Sequence, residues 1–122
     1  MYRILHVEDD DDIREICRIS FDFAGLTDVV QCHDAFSALE VCDDHEPDLL
    51  LLDQMMPGMN GMELLAELRK KPAYQDVPAV FFSALSQESE RDEMMRSGAI
   101  DIISKPFDPM TLGEKIWKFF ET

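Results

Sequence analysis

Positive charge is scarce in this chain: 11 lysines and arginines stand against 26 aspartates and glutamates, a formal charge of −15. A surface of that sign repels nucleic acid and anionic lipid, so neither direct DNA binding nor electrostatic membrane attachment is expected. Cys17, Cys32 and Cys42 are odd in number, form no CxxC pair and stand beside no histidine cluster. That pattern excludes a disulfide framework and argues against zinc, leaving reduced, mostly buried thiols. No apolar run approaches the roughly 20 residues of a membrane-spanning helix, so no membrane insertion is expected. Met1-Tyr2-Arg3 leads directly into an apolar run and leaves no room for a signal peptide, so the expected location is cytoplasmic. Glycine is missing from the loop Glu8-Asp9-Asp10-Asp11-Asp12, where a mononucleotide binder would need it to cradle phosphate.

What is present reads as one domain, residues 1–122, with no output domain. Short strand-like runs alternate five times with helical periodicity, which predicts βα units, a parallel sheet and helices on both faces. The strands are expected at Ile4-Leu5-His6-Val7, Val29-Val30, Leu49 to Leu52, Val80-Phe81-Phe82 and Ile102-Ile103. The all-leucine third strand must be buried on both faces. Asp12-Ile13-Arg14-Glu15 resembles a capping box for the first helix, which Gly25 can close. Asp34, Asn60, Ser86 and Asp108 are the expected caps of the other four, with Pro109 at the first position of the last.

Polar residues end four of those strands, and in a parallel sheet the carboxyl ends share one crevice. Glu8 and Asp9 follow the first, Asp53 the third, Ser83 the fourth and Lys105 the fifth. An aspartate before a turn is commonly structural, but here it stands with two more acids and a lysine. Like charges about 4 Å apart repel by about 4 kcal/mol at an effective dielectric of 20, so a cation is required. Mg²⁺ suits such a site because it takes oxygen ligands, keeps several waters and is held by one or two carboxylates. Asp53 is then the candidate nucleophile, able to attack phosphorus in line and form an acyl phosphate. Lys105 supplies charge for phosphoryl oxygens and Ser83 a hydroxyl donor. Asp11 and Asp12 read as a solvated helix start, favoured by the helix dipole. His6 reads as a hydrogen-bonded core histidine, His33 and His45 as loop residues, and Met55, Met56, Met59 and Met62 as packing residues. Phe119 and Phe120 are read as either core closure or a partner contact.

These residues, with Asp53-Gln54-Met55-Met56-Pro57-Gly58-Met59-Asn60-Gly61 and Gly98-Ala99 before Lys105-Pro106-Phe107, resemble the receiver domain of two-component response regulators. Ser83 lies 30 positions after Asp53 and Lys105 lies 52 after it, the family's interval. The resemblance spans essentially the whole chain and implies a flavodoxin-like α/β fold, a doubly wound sheet of order 2-1-3-4-5 with five helices. It implies that Asp53 accepts a phosphoryl group from a phosphohistidine on a sensor histidine kinase or phosphotransfer protein, switching a surface for an unknown downstream partner. It also implies Mg²⁺ bound directly by Asp9, Asp53 and the Met55 backbone carbonyl and through water by Glu8, with Ser83 and Lys105 on the phosphoryl oxygens. A cis Lys105-Pro106 bond is implied as well. Such a chain assists its own aspartyl phosphorylation and dephosphorylation and is not a turnover enzyme; homodimer formation is left open. The side chains two positions after the acceptor and two after the hydroxyl residue, here Met55 and Leu85, flank the path of hydrolytic water in this family. Glu8 stands where aspartate is commoner. Ile102 stands where many members carry tyrosine or phenylalanine, which leaves the aromatic relay to Ser83 without its ring. A dehalogenase-type hydrolase would need an acid at Met55. A phosphorylation-independent interaction module would be expected to lack part of the acid, lysine and hydroxyl set, and remains the alternative.

Overall fold

The computed structural model describes residues 2–84 and 87–121. Five strands, β1 (Ile4–Val7), β2 (Val29–Cys32), β3 (Leu49–Asp53), β4 (Ala79–Ser83) and β5 (Asp101–Ser104), alternate with α1 (Asp11–Phe23), α2 (Ala35–Val41), α3 (Gly61–Leu68), α4 (Glu88–Arg96) and α5 (Pro109–Phe120). All pairings are parallel and the order is β2-β1-β3-β4-β5. The expected doubly wound sheet is thus the observed one. Two single turns of 3-10 helix, at Cys42–Asp44 and Pro72–Tyr74, precede β3 and β4.

Alternation along each strand sends successive side chains to opposite faces. Leu5, Val7, Leu50, Leu52 and Phe81 pack with Leu64, Leu65, Leu68 and Met94 of α3 and α4. Ile4, Leu49, Leu51, Val80, Phe82 and Ile103 pack on the other side with Cys17, Phe21, Leu112 and Ile116 of α1 and α5. The four leucines of β3 are completely buried, as a central strand covered on both faces requires. Each contributes about 1.5–3 kcal/mol relative to exposure. The three cysteines are buried free thiols.

Local chemistry sets most helix ends. Asp34 accepts from the Ser37 N–H, Asn60 and Glu63 form a reciprocal capping box, and Asp108 accepts from the Met110 N–H ahead of Pro109. Gly25 and Gly98, each with φ above +80°, follow α1 and α4 in the left-handed conformation that suits glycine. The first helix corrects the sequence reading. Its N-cap is Asp10, whose carboxylate accepts from the Asp12 and Ile13 N–H groups, and Asp12 lies inside the first turn. Gln87 is the N-cap of α4; the expected cap Ser86, like Leu85, lies outside the described residues. Two side-chain bonds fasten α1 to α5: the Ser20 hydroxyl donates to the Pro109 carbonyl at 2.9 Å, and the Trp117 indole donates to the Ala24 carbonyl at 2.8 Å. Phe120 stacks on Tyr2 at 4.0 Å and, with Phe119, packs against the α1/α5 side of the core, so both close the core.

Candidate functional site

Parallel register is what assembles the site. Val7 pairs with Leu52 and Asp53 pairs with Phe82, so the residues that follow β1, end β3 and β4, and follow β5 reach one edge of the sheet together. Buried polar side chains are tolerated there because they bond one another, the Lys105 ammonium reaching both Glu8 and Asp53.

The centre is an ion cluster. The Lys105 ammonium donates to Glu8 Oε1 at 2.7 Å and to Asp53 Oδ1 at 3.0 Å. Glu8 and Asp53 are almost fully buried, and Asp9 is exposed. Carboxylate oxygens of Glu8, Asp9 and Asp53 all lie within 4.8 Å of one another. The sequence sets Lys105 against phosphoryl oxygens; in the structure it is also the partner of Glu8, 97 residues away, a pairing that no local pattern encodes. One ammonium faces three carboxylates, so the cluster retains excess negative charge. Burial, followed by the hydrogen bond and charge of Glu8 and the proximity of Asp9, pushes the Asp53 carboxyl up to about 7 against the pull of Lys105. Burial opposes the charge on Lys105, yet its hydrogen bonds to Glu8 and Asp53 outweigh this and raise its pKa.

Glu8 is held at every polar atom. Its N–H donates to the Cys32 carbonyl at 3.0 Å, its carbonyl accepts from Arg14 Nη1 at 2.9 Å, and Oε2 accepts from the Asp10 N–H at 3.2 Å. Asp53 Oδ1 also faces the Met55 N–H at 3.4 Å. The Met55 side chain is 73% exposed, over the turn that leads to α3, whereas Met56 is buried. Ser83 ends β4, is buried, and accepts the Lys105 N–H at its carbonyl at 2.9 Å. It opens onto a cleft of about 440 Å³ shared with Gln54, Met55, Met62, Glu93 and Met94. The Lys105–Pro106 bond is cis.

His6 is buried beneath α1, its ring edge-on to Phe21, and burial together with the charges of Lys105 and Arg14 pushes its pKa down to about 3. It is a core histidine bonded to Gln31 at 3.1 Å and not a metal ligand of this cluster. His33 is an exposed loop residue, whereas His45 ends the first 3-10 turn, is buried, and its carbonyl accepts from the Tyr74 hydroxyl. Ile102 is buried against the α3/α4 side of the core. Among the described residues, no helix is long and apolar enough to cross a membrane.

The model of the response regulator receiver domain matches residues 4–117. Relatives include the phosphate regulon transcriptional regulatory protein PhoB of Escherichia coli K12, 36% identical over 93% of this chain and 49% of its own length. Response regulator MprA of Mycobacterium ulcerans is 41% identical over 86% of this chain and 44% of its own. The chain thus spans about half the length of these curated relatives. Among solved structures, the chemotaxis protein CheY4 of Vibrio cholerae superposes with a TM-score of 0.88 at 26% identity, covering 97% of this chain and 98% of its own. The receiver domain of NtrX from Brucella abortus does so with a TM-score of 0.85 at 31% identity, over 98% of each chain. With the fold, the residue spacing and these matches in agreement, the chain belongs to the response regulator receiver domain family of two-component signalling.

Proposed function

We propose that Asp53 accepts a phosphoryl group from a phosphohistidine on a sensor histidine kinase or phosphotransfer protein, in a Mg²⁺-dependent reaction. The observation that carries this reading is the Lys105 ammonium held between Glu8 and Asp53, with Asp9 within ligand reach of both. The donor set fits Mg²⁺: it is all oxygen, and a spread of up to 4.8 Å suits a mixture of direct and water-bridged carboxylates around an ion with ligands at ~2.0–2.1 Å. Asp9, Asp53 and the Met55 carbonyl would hold the ion directly. Both Glu8 oxygens already accept hydrogen bonds, which favours a water-mediated part for that residue. When bound, Mg²⁺ would offset the carboxylates and the incoming phosphoryl oxygens.

Asp53 attacks phosphorus as the P–N bond to the donor imidazole breaks, and the imidazole nitrogen leaves with the bonding pair. Lys105 and the Ser83 hydroxyl then take the phosphoryl oxygens; for Lys105 this exchanges one anionic partner for another, so its charge stays paired. Drawing Ser83 toward Asp53 would move the β4–α4 loop and bias the surface formed by α4, β5 and α5. With Ile102 packed in the core and no ring to swing, that change would be backbone movement and repacking.

Incubation with acetyl phosphate and Mg²⁺ should add one phosphoryl mass to the intact chain, and Asp53→Asn should abolish the gain. A mutant labelled as fast as the parent would overturn the site. No gain in the parent would favour a phosphorylation-independent interaction module.

A further inference from the structure

Arg14 takes no part in the scheme above, yet its guanidinium is bonded to both ends of the acidic loop. Its guanidinium donates from Nη1 to the Glu8 carbonyl at 2.9 Å and from Nη2 to the Asp11 carboxylate, straddling the turn that contains Asp9 and Asp10. The guanidinium is itself only partly exposed. Its helical turn is fastened in turn, since Gln31 Nε2 donates to the Arg14 carbonyl at 2.9 Å. A carbonyl only accepts, so the amide nitrogen must face α1. The same nitrogen lies 3.1 Å from His6 Nδ1, directly across the β1–β2 register. Nδ1 is therefore the unprotonated ring nitrogen, and Gln31 joins β1, β2 and α1 at one point.

We infer that Arg14 and Gln31 are positioning residues that hold the β1–α1 loop so that Glu8 and Asp9 face Asp53 in the arrangement a divalent cation requires. Gln31 fixes the turn of α1, and the planar fork of Arg14 pins both ends of the loop. Glu8, fixed at its carbonyl, then presents Oε1 to Lys105, whose ammonium reaches Asp53. Outer contacts that orient carboxylates change metal affinity by about 10–100-fold when removed.

The sign of the effect separates positioning from charge. Arg14 is a cation beside an anionic site, so as a mere charge its loss should tighten Mg²⁺ binding, and Arg14→Lys should behave like the parent. As a positioning residue its loss should weaken binding. Lysine should not rescue it, because a point charge on a flexible stem cannot reproduce two directed bonds to separate acceptors on Glu8 and Asp11. Gln31→Leu, which changes no charge, should weaken binding in the same direction.

The experiment rests on the Mg²⁺ reading and is built so that the two can fail separately. Calorimetric titration of the whole chain with Mg²⁺ should show about tenfold weaker binding for Arg14→Lys and Arg14→Met, and a smaller loss for Gln31→Leu. In the metal-free chain, hydrogen exchange of the Asp10 N–H, which donates to Glu8, should be about tenfold faster in Arg14→Lys, while the Leu50 and Phe81 amides exchange as in the parent. Tighter Mg²⁺ binding by Arg14→Met, or unchanged Asp10 exchange, would overturn the inference. Loss of protection at Leu50 and Phe81 as well would make Arg14 a general stabilising residue and overturn it too. If the parent takes up no Mg²⁺, the metal reading fails, and the exchange experiment still decides whether the clamp exists.

Discussion

Gly61 is pressed against the backbone of Asp53: a β-carbon built on Gly61 would stand 2.5 Å from the Asp53 carbonyl oxygen and 3.1 Å from Gln54 Cα. The close approach lets the Gly61 N–H donate to the Gln54 carbonyl, and the Met62 N–H to the Gln54 side chain, so α3 begins directly against the end of β3. No flexible side-chain tip can yield here, because the obstructing atom is backbone. Gly61→Ala should therefore destabilise the domain by about 1–3 kcal/mol. It should also slow Asp53 phosphorylation by displacing the strand end. Thermal denaturation and acetyl phosphate labelling would check both, and parental values would show that α3 can withdraw at no cost.

Removing the two acids of the first loop should have unequal consequences for Mg²⁺. Asp9 is exposed and its carboxylate would be open to the ion, whereas both oxygens of Glu8 are committed to Lys105 and the Asp10 N–H. Asp9→Ala should weaken binding by tenfold or more, about 1.4 kcal/mol, and Glu8→Ala by less. Calorimetry is the suitable probe, since Trp117 packs against Ala24, Tyr2 and Phe120. Equal losses would remove the distinction between direct and water-mediated ligands.

The pH dependence of stability follows from Asp53. Its folded pKa, raised to about 7 from an ordinary 3.8, means that the folded chain keeps a proton the unfolded chain has released. The resulting stability is fully present below about pH 3.8 and is lost as pH rises through 7. His6 works in the opposite sense. Its pKa is lowered from 6.5 to about 3, so its contribution is present above 6.5 and lost as pH falls toward 3. Comparison with Asp53→Asn isolates the contribution of Asp53. Without metal, the mutant should gain stability relative to the parent between pH 4 and 7, and Mg²⁺ should close that gap by stabilising only the parent. Urea denaturation across this range measures it; a pH-independent difference would contradict the raised pKa.

The phosphoform should be long-lived. Met55 and Leu85 are apolar where hydrolytic water would pass in this family, and Met55 offers the turn beside Asp53 an exposed thioether instead of a hydrogen-bonding group. Hydrolysis of an acyl phosphate by in-line attack depends on positioning the water, so two apolar flanks should slow it. Met55→Asn combined with Leu85→Glu should shorten the half-life several-fold, followed as loss of label after the phosphodonor is removed. Decay at the parental rate would show that these side chains do not control water access.

The sequence by itself determined whatever depends on neighbours along the chain. Strand-length apolar runs, the caps Asp34, Asn60 and Asp108, and the polar residues at four strand ends were legible because periodicity and capping are short-range. Parallel pairing then necessarily carries Glu8, Asp53, Ser83 and the turn to Lys105 to one edge. Tertiary structure decided the rest. In a run of consecutive aspartates the local energies of capping are nearly equal, and Asp10 rather than Asp12 caps α1, in a loop that Arg14 straddles and whose Glu8 carboxylate takes the Asp10 N–H. The pairing of Lys105 with Glu8, of Gln31 with His6 and Arg14, and the burial of His45 join residues distant in sequence, and no local pattern encodes them. Gly61 illustrates the same limit: as a letter it is a helix-start glycine, and only the Asp53 carbonyl oxygen, which would stand 2.5 Å from a β-carbon there, makes its missing side chain a condition of the site.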